Sequence, residues 1–176
     1  MCMRDYESKL VDSSRLLADI LVDDIGNDQE RFNEMMDIAS RDEYPLSMRA
    51  ARIIALSSQN YPELMVSRID QIIKILKKCK TDGVRRSLLK ILTGLPIPFT
   101  EDQLGILTDL AFAWLTDIRE PVSVRYYSIE ILQIVAGIYP EIGTELSQIL
   151  SGMMDGSSSG LKAKSRKVLH HLRKQQ

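Results

Sequence analysis

One pattern returns four times along this chain: an apolar residue, a basic one, two free positions, a small residue, two more free positions and an apolar pair. The fullest copy is Val124-Arg125, Ser128 and Ile131-Leu132. Met48-Arg49 with Ala55-Leu56 is a second copy, in which Arg52 fills the small place beside Ala51. Val84-Arg85, Leu88 and Ile91-Leu92 make a third, and Leu161-Lys162, Ser165 and Val168-Leu169 a fourth. The copies start about 36, 40 and 37 residues apart, within the range of roughly 33 to 47 residues of two-helix repeats. A single helix pair of that size cannot bury its apolar face alone, so the pairs must stack on one another.

Between the copies the chain reads as helices with short punctuated turns. Apolar residues spaced by three and four paint one stripe on a helix from Asp5 to Ile25, through Tyr6, Leu10, Val11, Leu17, Ala18, Leu21 and Val22. Gln29 to Ser40 and Ser47 to Ser58 form the next pair. The break at Tyr44-Pro45 follows from the proline, because the residue before it avoids helical geometry. A helix opening at Pro62 runs to Thr81-Asp82-Gly83, and its partner spans Gly83 to Leu95.

The longest joint is Leu95 to Thr100, where Thr100 and Gln103 can form a capping box. Beyond it, Leu104, Leu107, Leu110, Ala111, Trp114 and Leu115 line one helix, and Pro121 opens its partner. A further helix follows Tyr139-Pro140 and carries Ile142, Leu146, Ile149, Leu150 and Met153. After the flexible joint Gly156 to Gly160, a basic helix runs from Leu161 to Lys174. The expected total is nine helices in one domain: a cap over residues 1–27, then pairs over 28–60, 61–96, 97–138 and 139–176.

Sparse, clustered glycine and proline and the absence of β-branched alternation give an all-α class, and 44% hydrophobic with 27% charged residues is the range of an ordinary globular domain. No stretch approaches the roughly 18 apolar residues of a membrane span, and the acidic opening does not look like a leader, so a cytoplasmic location is expected. Cys2 and Cys79 are too few for a disulfide framework or a zinc cluster, and both are expected as free thiols.

Helix pairs with Val-Arg, a small residue and an apolar pair on the second helix, and an acid in the preceding turn, resemble HEAT repeats. The resemblance covers about residues 28 to 174. It implies a right-handed α-α superhelix of about four pairs behind an N-terminal capping helix, and a scaffold that binds other macromolecules; it implies no reaction and no cofactor. It also implies a ladder in which the turn acid pairs with the basic residue of the second helix. Asp42 would serve Arg49, Asp117 would serve Arg125, and Asp155 would serve Lys162. Asp82 lies only three residues before Arg85, so the second repeat departs from that spacing.

Charge is the most informative functional feature. The second helices carry a net charge of about +11, so a total of −1 leaves about −12 for the rest of the chain. The resemblance puts second helices on the concave surface, where a basic groove could hold an acidic peptide or a phosphate backbone. The groove candidates are Arg52, Arg86, Lys90 and Tyr126. Arg86 and Lys90, four apart, share a helix face. The competing account is that ladder pairs consume the repeat-start arginines and the remaining cations are solvated.

Other residues point less to chemistry. His170 and His171 are adjacent and so point about 100° apart on a helix, too divergent to share a metal. Trp114 with Asp117 resembles the aromatic and carboxylate pair of HEAT-like alkylpurine DNA glycosylases, although Trp114 is in phase with an apolar stripe, which favours core packing. Tyr127 is expected to pack and Tyr126 to face the groove. Cys79 lies between Lys78 and Lys80, which favours a thiolate, yet no histidine is placed to activate it, and an inert surface thiol is expected. No phosphate loop, metal-ligand spacing, nucleophile elbow or carboxylate pair is present. The leading expectation is a non-enzymatic protein-binding scaffold. Its alternatives are a nucleic-acid-binding or repair protein and a regulatory subunit of a larger complex.

Overall fold

The computed structural model describes residues 6–96 and 98–174. It is all-α and solenoid-like, with eleven helices and no strand among the described residues. Cys2 and the start of the first expected helix at Asp5 lie outside them. Two compact units divide the chain, Met1–Ile97 and Pro98–Gln176. The division falls in the long proline-containing joint between the second and third helix pairs.

In the first unit, α1 (Tyr6–Lys9) and α2 (Arg15–Ile25) precede α3 (Gln29–Ser40) and α4 (Leu46–Asn60). They are followed by α5 (Glu63–Val66), α6 (Ile69–Lys78) and α7 (Asp82–Gly94). Helix α4 is the hub, packed against α3, α7 and α2. Phe32, Met35, Met36 and Ala39 of α3 meet Ala50, Ala51 and Ile54 of α4, all with no exposed surface. At roughly 1.5 to 3 kcal/mol for each fully buried large side chain, this apolar seam holds the pair together. Gly83 lets α7 approach α4 closely, since a Cβ there would come within 2.3 Å of Met48 Cγ.

Two expected helices are each broken in two, which accounts for eleven rather than nine. Asp12 Oδ1 accepts from the Ser14 amide at 2.7 Å, and Ser14 Oγ accepts from Leu17 N to cap α2. These local side-chain bonds offer the backbone an alternative to helix, so residues 10–14 form a strap instead of a turn of helix. Val11, expected on the buried stripe, is consequently 68% exposed, whereas Leu10 is buried. The second break lies at Ser67 and Arg68, between α5 and α6, and leaves Val66 exposed.

The second unit comprises α8 (Glu101–Thr116), α9 (Val122–Ala136), α10 (Pro140–Gly152) and α11 (Ser159–Arg173). The Thr100–Gln103 capping box forms as expected. Helix α9 is the hub here, touching α8, α10 and α11. Its small residue Ser128 is fully buried and returns its hydroxyl to Val124 O at 2.9 Å, so the close approach leaves no unmet polar group. Ser165 takes the equivalent buried place on α11.

Candidate functional site

The exposed stripe of α7 follows from its burial pattern. Val84, Leu88, Leu89, Ile91 and Leu92 face inward, which leaves Asp82, Arg86 and Lys90 on the outer face at intervals of four. The side-chain nitrogens of Arg86 and Lys90 have no hydrogen-bond or ion-pair partner among the described residues. They are the two groove candidates that the fold brings together on open surface.

Arg52 stands differently. Its Nη1 donates to the carbonyl of Ser13 at 2.5 Å, and Arg49 Nη1 donates to that of Leu10 at 2.7 Å. Both guanidinium groups therefore grip the strap between α1 and α2 and hold the N-terminal segment on α4. A strap that bends out of helical geometry leaves carbonyls without internal partners, and a planar five-donor cation meets them well.

The same chemistry replaces the expected ladder. Asp42 and Arg49 do not pair. Instead Asp42 Oδ1 accepts from Cys79 Sγ at 2.9 Å and Thr81 N at 3.0 Å, while Oδ2 accepts from Lys80 N at 2.8 Å. Burial opposes the charge, but these donors outweigh it and hold the Asp42 carboxyl down at about 2. Asp42 thus ties its own turn to the turn between α6 and α7, with φ +59 in the left-handed region. Arg125 Nε donates to Leu115 O at 3.1 Å, a carbonyl of the last turn of α8 that has no helical partner. Asp117 is taken by Arg119, whose Nη2 lies 2.8 Å away and whose bonds pull the carboxyl down to about 2. Asp155 is exposed and Lys162 half-buried, with no ion pair joining them among the described residues. Arg85 is buried. Arg49, Arg52 and Arg125 thus take backbone carbonyls of the strap or a helix end rather than carboxylates.

Tyr126 belongs to the second unit, on α9. It is half-buried, meets Tyr127 edge-on at 5.5 Å and lies under Lys164 Nζ at 5.2 Å. Lys164 also pairs with Glu130 at 2.9 Å, so this group ties α11 to α9. Burial and the nearby Glu130 carboxylate push the Tyr126 hydroxyl up from its ordinary range.

A family model described as HEAT repeat domain matches residues 9–172. The chain belongs to the HEAT-repeat family. No curated protein and no solved structure matches it. The match spans nearly the whole chain, including the strap and α2 ahead of the residues that carry the resemblance.

Within this HEAT-repeat chain the remaining sequence candidates are placed as follows. Trp114 is half-buried on α8, and His170 and His171 are exposed on α11. Among the described residues, no group of three or more His, Cys, Asp or Glu residues could hold a metal ion. No described helix is long and apolar enough to cross a membrane. Cys79 is buried rather than a surface thiol. Burial and its bond to Asp42 push it up to about 12, against the smaller opposing effects of the Thr81 backbone and the Arg85 charge. The sequence missed Asp42 as a cross-repeat tie, because two of its three donors are the backbone amides of Lys80 and Thr81, which no side-chain spacing marks, and the third is the thiol of Cys79 in the next repeat.

Proposed function

We propose that this chain is a non-enzymatic HEAT-type binding module that holds an acidic segment of a partner protein along the exposed face of α7. The observation that supports the reading is the pair Arg86 and Lys90, two cations one helical turn apart on open surface and unmatched among the described residues. Other basic residues of the second helices are already engaged: Arg49 and Arg52 by the strap, Arg125 by Leu115 O, and Lys164 by Glu130. The positive surplus that reads as a continuous groove in the sequence is therefore concentrated, in the first unit, on α7. Charged pairs of this kind steer association and give it salt dependence more than raw affinity.

In this reading the partner is a protein, the setting cytoplasmic, and Tyr126 belongs to the packing of α9 rather than to the binding face. Capture from native lysate on wild-type chain and on Arg86→Glu/Lys90→Glu, followed by mass spectrometry, tests it. The reading expects proteins with acidic segments to be retained by the wild type and lost from the reversed variant. Equal capture by both chains contradicts it.

A further inference from the structure

Beyond the α7 face, the first unit contains a cleft of about 400 Å³ where the C-terminal end of α3 faces α6. On the α6 side Gln71, Lys74 and Lys78 line it at helical spacings of three and four, with Ile75 buried at its base. Arg41 stands on the α3 side, its Nη1 paired with Glu7 Oε2 at 2.7 Å. Lys74 and Lys78 are exposed, and their ammonium groups have no partner among the described residues. The one acid lining the cleft is Asp42, whose two oxygens are occupied by Cys79, Thr81 and Lys80.

We propose that this cleft binds a small polyanion: an organic molecule bearing two or more carboxylate or phosphate groups, with a short body resting on Ile75. Lys74 and Lys78 would each take an anionic group and the Gln71 amide would donate alongside them. Three features argue for a small ligand rather than a chain. The volume falls in the range of roughly 300 to 1,000 Å³ found for small-molecule sites. The α6 wall from Gln71 to Lys78 is only about 10 Å long at 1.5 Å per residue, room for about three extended residues. The bonds of Asp42 to the α6–α7 turn close one end.

This inference is independent of the α7 reading, and one experiment separates the two. The full ¹⁵N-labelled chain is titrated with citrate and with pyrophosphate at low ionic strength, with glucose as a neutral control. Saturable shifts are expected at the amides of residues 71–79 with either anion and none with glucose. Lys74→Glu/Lys78→Glu, checked for native helicity, should weaken binding about tenfold or more, whereas Arg86→Glu/Lys90→Glu should leave it unchanged. The milder Lys74→Gln/Lys78→Gln serves if the reversal perturbs folding. The proposal is overturned if no saturable shift appears below about 10 mM ligand. It is also overturned if shifts spread evenly over all lysine-bearing faces, or if binding survives loss of both lysines.

Discussion

Replacing Asp42 with asparagine isolates the contribution of the tie between the first two repeats. Asparagine tolerates the left-handed backbone found at this position (φ +59), so the change removes charge and acceptors without adding backbone strain. Its amide oxygen can still accept from Cys79 and Thr81, but its NH₂ then faces the Lys80 N–H that Oδ2 meets at 2.8 Å. One charge-assisted bond becomes a donor opposed to a donor. A carboxyl that titrates at about 2 when folded and at 3.8 when free contributes roughly 2 to 3 kcal/mol at pH 7. Solvent screening at this half-buried position lowers that to about 2 kcal/mol. Because the folded value is depressed, the contribution is complete above pH 3.8 and disappears as pH falls toward 2. Urea unfolding followed by circular dichroism should show Asp42→Asn about 2 kcal/mol less stable at pH 7, with the gap closing near pH 2. A difference below about 0.5 kcal/mol at pH 7, or one that pH leaves unchanged, would refute the tie.

Three further outcomes follow from the packing. Leu132→Ala, at a fully buried position on α9, should cost roughly 2 to 5 kcal/mol in chemical denaturation, and a loss under about 0.5 kcal/mol would put Leu132 outside the core. In a Cys2→Ser background, Cys79 should resist alkylation at pH 8 until the chain unfolds, since a thiol held at about 12 is about one part in ten thousand thiolate there; rapid labelling of folded chain would contradict its burial. Deleting residues 1–25 removes the partners of Arg49 and Arg52 and uncovers the face of α4 that α2 packs against, so aggregation is expected on light scattering; a monomeric, cooperatively folding truncation would argue against a capping role.

The helical register was legible because apolar spacing reports directly on which face is buried. Leu104, Leu107, Ala111 and Leu115 are buried on α8 as their spacing requires, and the small places at Ser128 and Ser165 are buried where helices approach closely. The strap was less legible, since Leu10 and Val11 continue an apolar rhythm that Asp12, Ser13 and Ser14 interrupt through their own hydrogen bonds. The ladder was not legible at all. Arg49 and Arg125 bond to the carbonyls of Leu10 and Leu115, and every residue carries a carbonyl, so no side-chain spacing marks which one is left unpaired by the fold. For the same reason Arg52 reads as a free groove cation in sequence and is an anchor in the structure.

The binding role is tested most directly by fluorescence anisotropy of a labelled Glu-rich peptide on the wild-type chain and on Arg86→Glu/Lys90→Glu. The titrations run between about 50 and 200 mM salt, with arbitrary duplex DNA as comparison. The account predicts peptide affinity that falls as salt rises, is lost in the reversed variant, and has no counterpart with DNA. Peptide binding that ignores both salt and the reversal, or DNA binding with the steep slope of counterion release, would contradict it.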